Sequence, residues 1–334
     1  MADIQVAALG NAIVDVIAEV DEGFLAKFEV PKGGMILIDT EKAEAISHAE
    51  EFTDTVMVAG GSAGNTCACI ASLGGTARFI GTVADDKHGN AYRESLRGTG
   101  VIFDTPNVTD GKPSGRCLIS VTSDAERSMA TYLGAAGDIT PAAVLEGDFE
   151  TAQICYLEGY NFEAPESREA CREAARRAKK AGRFVAMTLS DSGMVERNFE
   201  PLVAFLKETV DMIFANHDEA KALTGHDDAM EAAKAMKAEF CLWGAVTMSE
   251  KGSMVFGPQG EIEHVDAIPP AQLVDTTGAG DAYAAGWLFG FTTCMDLKSC
   301  GKLGSLCASE VISHKGARPE VSLRKLAQEK GLLG

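Results

Sequence analysis

At 334 residues, with 46% hydrophobic and 24% charged side chains and a mean hydropathy of +0.01, the chain has the size and composition of one large α/β domain or two ordinary ones. A formal charge of −19 excludes nucleic acid as a partner unless a basic stripe exists, and the one dense basic run, Arg172–Arg183, is interleaved with acids as on a solvated helix face. No apolar run reaches the roughly 18 residues a membrane span requires, Met1-Ala2-Asp3-Ile4 carries no basic leader, and nine cysteines fit no paired framework, so a cytoplasmic protein without membrane contact is expected.

In chain order, strands are predicted at Ile4–Leu9, Thr55–Ala59, Ala77–Gly81, Ile154–Glu158, Phe184–Leu189, Met212–Ala215, Leu242–Met248 and Ser253–Phe256, with amphipathic helices between them. That alternation predicts a mainly parallel sheet covered on both faces. The clearest helix, Glu163–Ala181, has Pro165 near its start and Gly182 past its end. Two regions break the rhythm, 13–39 and 113–134, and read as antiparallel insertions; Arg116–Thr122 and Arg127–Tyr132 form a hairpin pattern. They predict a small accessory lid sheet on a single 334-residue domain, whose α/β core comprises 1–12, 40–112 and 135–334. No linker or repeat splits the chain.

Three loops carry chemistry. Gly60-Gly61-Ser62-Ala63-Gly64-Asn65 lies between a strand and a helix, where α/β proteins bring backbone close to a ligand, although its spacing is not that of a dinucleotide fingerprint. Asn216-His217-Asp218-Glu219 is a helix capping box, Asn at the N-cap and Glu three residues on. Asp275-Thr276-Thr277-Gly278-Ala279-Gly280-Asp281 runs into an apolar helix. The amides of Gly278, Ala279 and Gly280 would face outward at the positive helix end, with Asp281 beside them and held ionised by the same field. An anion cradle beside a carboxylate suits phosphoryl transfer to an alcohol; a plain N-terminal cap remains the other reading of these residues. A P-loop is disfavoured, because neither Gly111-Lys112-Pro113 nor Gly301-Lys302-Leu303 has the hydroxyl residue that should follow the lysine. Histidine-based nucleophilic catalysis has little support, because the six histidines are scattered along the chain.

The loops at 60–65 and 275–281, in that order and far apart, resemble the two signatures of the PfkB (ribokinase-like) carbohydrate-kinase family, and the similarity runs through nearly the whole chain. The resemblance implies a three-layer α/β/α sandwich with a mainly parallel central sheet and a small β lid. It implies an enzyme using ATP and Mg²⁺, with Asp281 as base and Gly278, Ala279 and Gly280 as anion hole. Asn216 and Glu219 then organise the waters of Mg²⁺, and Thr247, Gly252, Thr277, Gly280 and Asn216 line the ATP side. Acceptor contacts fall to Asn11, Asp15, Gly60, Gly61 and Asn65.

Within the family the resemblance leans toward the adenosine kinases. Gly10-Asn11-Ala12-Ile13-Val14-Asp15 is similar to their opening strand. Ala125-Glu126-Arg127-Ser128 is similar to their lid, with Glu126 in place of an Asn, and implies that Arg127 faces the transferring phosphate. Cys155–Tyr160 resembles the strand whose terminal aromatic stacks on adenine, which assigns Tyr160 to the base. One departure is Ser249 in Thr247–Gly252, where many relatives have a glycine able to take positive φ. A sugar such as ribose or fructose is the alternative acceptor, and a catalytically idle nucleoside-binding regulator the alternative from another class. Oligomeric state, monomer or homodimer, stays open, as does dependence on a monovalent cation such as K⁺ near His314–Pro319.

Overall fold

The computed structural model describes residues 4–109, 111–124, 126–145 and 148–334. Met1 to Asp3 and Ala125, invoked above for the leader and the lid turn, lie outside the described residues. The strands are β1 (Val6–Leu9), β2 (Ile13–Glu19), β3 (Met35–Leu37), β4 (Val56–Ala59), β5 (Ala77–Ile80), β6 (Gly115–Val121), β7 (Arg127–Tyr132), β8 (Ile154–Glu158), β9 (Phe184–Thr188), β10 (Met212–Asn216), β11 (Trp243–Thr247), β12 (Ser253–Phe256) and β13 (Ile262–Val265). They form two sheets.

The larger sheet has the order β13-β12-β11-β10-β9-β8-β1-β5, with β11 to β5 mutually parallel, β12 antiparallel to β11, and β13 antiparallel to β12. Its central strands are continuous apolar runs because both faces are covered. Successive side chains alternate between two cores: Val6, Ala8, Tyr156 and Ala186 join one cluster, while Ala7, Leu9, Cys155, Leu157, Val185 and Met187 join the other. The helix Pro165–Lys180 lays Ala170, Cys171, Ala174, Ala175 and Ala178 on the second cluster, a small-residue stripe at helical spacing that lets it pack close. On the first, the helix Ala279–Thr292 is anchored by the fully buried Trp287. The result is the α/β/α sandwich expected from the sequence.

The smaller sheet has the order β3-β7-β6-β2-β4. The hairpin β6–β7 is antiparallel as expected, but β2 runs parallel to β6 and β3 parallel to β7. Strands from separate stretches of chain have no hairpin to fix their sense. The strand read at 55–59 as part of the central sheet belongs here too, antiparallel to β2 with Ala59 opposite Val14. Its outer half is solvated, Val56 at 63% and Met57 at 39% exposure, as an edge strand permits and a doubly covered strand does not. Strand β13, Ile262-Glu263-His264-Val265, escaped the sequence reading because an edge strand with two charged or polar residues gives no apolar run. Among the described residues no helix is long and apolar enough to cross a membrane.

Candidate active site

Strand order reverses between β8 and β1, and the crevice beyond the carboxyl ends of these parallel strands is where α/β sheets take ligands. Glu158 ends β8 there, fully buried. Its Oε1 accepts the Asn11 amide at 2.8 Å and its Oε2 the Ala63 amide at 2.8 Å, so one side chain ties the exit of β1 to the glycine turn. Burial pushes the Glu158 carboxyl up to about 7 against those two bonds, and the nearby Asp281 charge adds to the rise.

The turn needs its glycines for space. Gly61 has φ 81°, and a Cβ there would stand 2.3 Å from the Asn11 carbonyl oxygen; one on Gly60 would stand 2.6 Å from Asp15 Oδ2. Asp15, on β2, is thereby pressed against the turn, and burial pushes its carboxyl up to about 7 while Arg318 and Arg127 work in the other direction. The turn leads into the helix Ser62–Ser72, whose first residues reach across to Asp281: Ser62 Oγ donates to Oδ1 at 2.6 Å and Asn65 Nδ2 to Oδ2 at 3.0 Å.

Asp281 sits in the first turn of the helix Ala279–Thr292, whose N-cap Gly278 has φ 79° and would clash through a Cβ with Ala317 at 2.5 Å. Against the helix-end field that favours the ionised acid here, burial works in the other direction. Burial dominates and raises the Asp281 carboxyl above its ordinary range, the Ser62 and Asn65 bonds opposing it only in part. Of the three expected cradle amides, that of Ala279 closes the turn onto the Thr276 carbonyl at 3.2 Å. Gly280 faces open space, with nothing within 4 Å of where a Cβ would stand.

Asp275 heads the loop. It accepts from Thr277 N at 3.1 Å, Thr277 Oγ1 at 2.7 Å and Gly316 N at 3.0 Å, and it pairs with Arg127 Nη1 at 3.1 Å. Although burial opposes its charge, these partners hold the carboxyl below its ordinary range. Arg127 opens β7, so the small sheet is fastened by this pair to the helix start that carries Asp281.

On the neighbouring strand ends, Asn216 and Glu219 form the expected capping box: Glu219 N donates to Asn216 Oδ1 at 2.9 Å and Asn216 N to Glu219 Oε2 at 3.0 Å. Glu219 is 5% exposed, and burial pushes it up to about 7 against the Asn216 bond, with Asp191 and Asp281 adding to the rise. Thr247 lies opposite Asn216 in register. In the following turn Ser249 takes φ 52° and Gly252 φ 86°, so the serine adopts the left-handed conformation at a cost of roughly 1–2 kcal/mol. Tyr160 follows β8, its hydroxyl donating to the Ser190 carbonyl at 3.3 Å; Ser190 itself has φ 69° and accepts the Gly159 amide at 2.9 Å.

Asp281, Ser62, Asn65, Asn11, Asp15, Gly60, Gly61, Arg127 and Gly278 are thus brought to one crevice, while Asn216, Glu219, Thr247 and Gly252 stand at the ends of β10 and β11 farther along the sheet. Glu158 and Arg318 were not singled out from the sequence. Glu158 had a signal, a lone acid closing an apolar strand before glycine; Arg318 had none. Among the described residues no group of three or more His, Cys, Asp or Glu could hold a metal ion.

The buried acids have a measurable consequence. Asp15, Glu158 and Glu219 bind protons more tightly folded than unfolded, so between about pH 4.5 and 7 the folded chain holds the extra protons and stability falls as pH rises. Their contribution is complete below the unfolded values and lost above about pH 7. The ligand-free protein is expected to melt several degrees lower at about pH 7.5 than at about pH 5.5. Among the described residues none hydrogen-bonds the Asp15 carboxylate, so Asp15→Asn removes a charge without breaking such a bond and is expected to flatten that slope; a variant with the parent slope would remove Asp15 from the account.

Comparison with known proteins shows what this chain is similar to in sequence and fold. The description "pfkB family carbohydrate kinase" matches residues 27–323. The crystal structure of an adenosine kinase from Sinorhizobium meliloti is 43% identical, covering 98% of this chain and 100% of that one with a TM-score of 0.91. That of a probable sugar kinase protein from Rhizobium etli is 40% identical over the full length of both chains, with a TM-score of 0.92. A ribokinase from Arabidopsis thaliana is 29% identical over 275 residues, 80% of this chain and 70% of that protein.

Proposed function

The chain belongs to the pfkB family of carbohydrate kinases, and from that premise we propose that it transfers the γ-phosphoryl group of ATP to the primary hydroxyl of a nucleoside, converting adenosine to AMP. The observation that carries this reading is the Asp281 carboxyl, fixed by Ser62 and Asn65 at the start of a helix whose Gly280 faces open space.

In this mechanism Asp281 takes the proton of the acceptor hydroxyl as its oxygen attacks in line. A carboxyl raised by burial is a better base than an exposed one, and its two donors, one on each oxygen, leave each oxygen able to accept again. Asn11, Asp15, Gly60, Gly61 and Asn65 would hold the acceptor's other hydroxyls. The helix-start amides around Gly278 to Gly280 and the Arg127 guanidinium would receive the negative charge of the transferring group. Thr277, Thr247, Gly252 and Asn216 would border the nucleotide.

The residues present fit Mg²⁺ held through its own waters. Asn216 and Glu219 are occupied with each other and Glu219 is buried, which suits an ion that keeps several waters. When bound with ATP, Mg²⁺ would offset negative charge on the phosphates.

Tyr160 favours a nucleoside over a bare sugar: an aromatic ring at the end of β8, pinned through its hydroxyl to a strained Ser190, is a platform a ribose or fructose would not use. The likeness to a probable sugar kinase protein supports the second reading, a sugar acceptor. Adenosine, inosine, ribose and fructose should each be offered with Mg-ATP while ADP release is followed. Adenosine is expected to turn over fastest, and activity confined to the sugars would sink the nucleoside reading.

A further inference from the structure

We infer that Arg318 is a positioning residue for this transfer, acting through Asn65 on Asp281; the inference rests on the reading of Asp281 as the base. Arg318 Nε donates to Asn65 Oδ1 at 3.3 Å, and Asn65 Nδ2 donates to Asp281 Oδ2 at 3.0 Å. The two ends of an amide are not interchangeable here. A guanidinium offers only donors and a carboxylate only acceptors, so a single orientation of Asn65 satisfies both neighbours. Rotated by half a turn, the amide would set its NH₂ against the guanidinium and its oxygen against the carboxylate. At 4% exposure Asn65 is shielded from bulk solvent.

Arg318 is itself held. Its Nη1 donates to Ser95 Oγ at 3.2 Å, and its guanidinium lies 5.8 Å from the centre of the buried Tyr92 ring. Two residues earlier, Gly316 bonds Asp275, and Ala317 packs against Gly278, so the stretch that carries the cation is fixed to the loop that carries the base. The cation also faces Asp15 and offsets part of the cost of burying that acid.

With Arg318 in place, Asn65 always presents its donor to Asp281 and favours the ionised carboxylate. Without it the amide is free to rotate, the proton is held more tightly, and the form able to accept a proton appears at higher pH. Asp281 is also within electrostatic reach of Cys69, of Asp15 on β2, of Tyr156 and Glu158 on β8, of Tyr160 after it and of Glu219. All of these remain in an Arg318 variant, so a change in its pH profile reports on the arginine.

Arg318→Met, which keeps bulk and removes the donors, is expected to lower kcat about tenfold and to move the acid limb of the kcat profile up by about one pH unit, the scale of one hydrogen bond to a charged group. In an Asn65→Ala background the same substitution is expected to add less than about twofold, because the residue it acts through is gone. A folded Arg318→Met enzyme with the parent kcat and acid limb overturns the inference, and so do losses that multiply in the double variant. Should Arg318→Met fail to fold, Arg318→Lys carries the test. Lysine lacks the fork that reaches Asn65 and Ser95 together, so a smaller shift in the same direction is expected, and the parent limb overturns the inference. Asp281→Asn separates the two layers: substantial turnover there removes the base itself, whereas an inert Asp281→Asn with an unshifted Arg318→Met removes only the relay.

Discussion

Asp281→Asn is expected to lower kcat by about 10²–10⁴-fold, the usual contribution of a positioned general base, while the protein folds and still binds the acceptor. The substitution is close to isosteric, and the introduced amide would keep both neighbours: its oxygen would accept Asn65 Nδ2, now 3.0 Å from Oδ2, and its NH₂ would donate to the Ser62 oxygen, now 2.6 Å from Oδ1, since a hydroxyl can accept as well as donate. It would also relieve the burial of a charge, since burial is the largest influence on this carboxyl and acts against ionisation. Ligand-free stability is therefore expected to be unchanged or slightly higher at neutral pH, which separates a chemical defect from a folding one. Saturating acceptor and Mg-ATP in the rate assay, with acceptor binding measured by calorimetry, checks both halves. Turnover close to the parent rate would show that another group takes the proton.

The reason Asp281 could be read from sequence is that its setting is local. A glycine with positive φ, a helix start and an acid three residues on occupy seven consecutive positions, and each has a physical meaning without reference to the rest of the chain. The helix Pro165–Lys180 was legible for the same reason, through a proline at its start and a periodic small-residue face. Glu158 acquires its role from amides 147 and 95 residues away, and Arg318 from a side chain 253 residues away. No local pattern encodes such partners. Sheet membership is equally non-local: Val56-Met57-Val58-Ala59 reads as a strand wherever it pairs, and only its exposed face discloses an edge. Ser249 shows the converse. The sequence flagged a residue ill suited to positive φ, and the turn between Thr247 and Gly252 imposes that φ on it all the same.

Arg127→Ala is expected to lower kcat by about 10²–10³-fold, the loss seen when one charge-stabilising donor is removed from a developing anion, with a much smaller change in the KM for the acceptor. The argument begins with Asp275. Its hydrogen bonds from Thr277 and Gly316 would remain, so it stays ionised without the arginine and the loop that it shapes keeps its form. What is lost is a cation standing at the entrance of the Asp281 helix, joined to the small sheet through β7. Before phosphate arrives, that cation is neutralised by Asp275 at 3.1 Å; three-quarters screened from water, it is strong enough to matter to a second anion placed beside it. Arg127→Lys is expected to recover part of the loss, since an ammonium supplies the charge but not the fork. A role confined to fastening the small sheet predicts a different outcome: KM for the acceptor would rise, kcat at saturation would stay within about twofold of the parent, and the charge-stabilising assignment would fall.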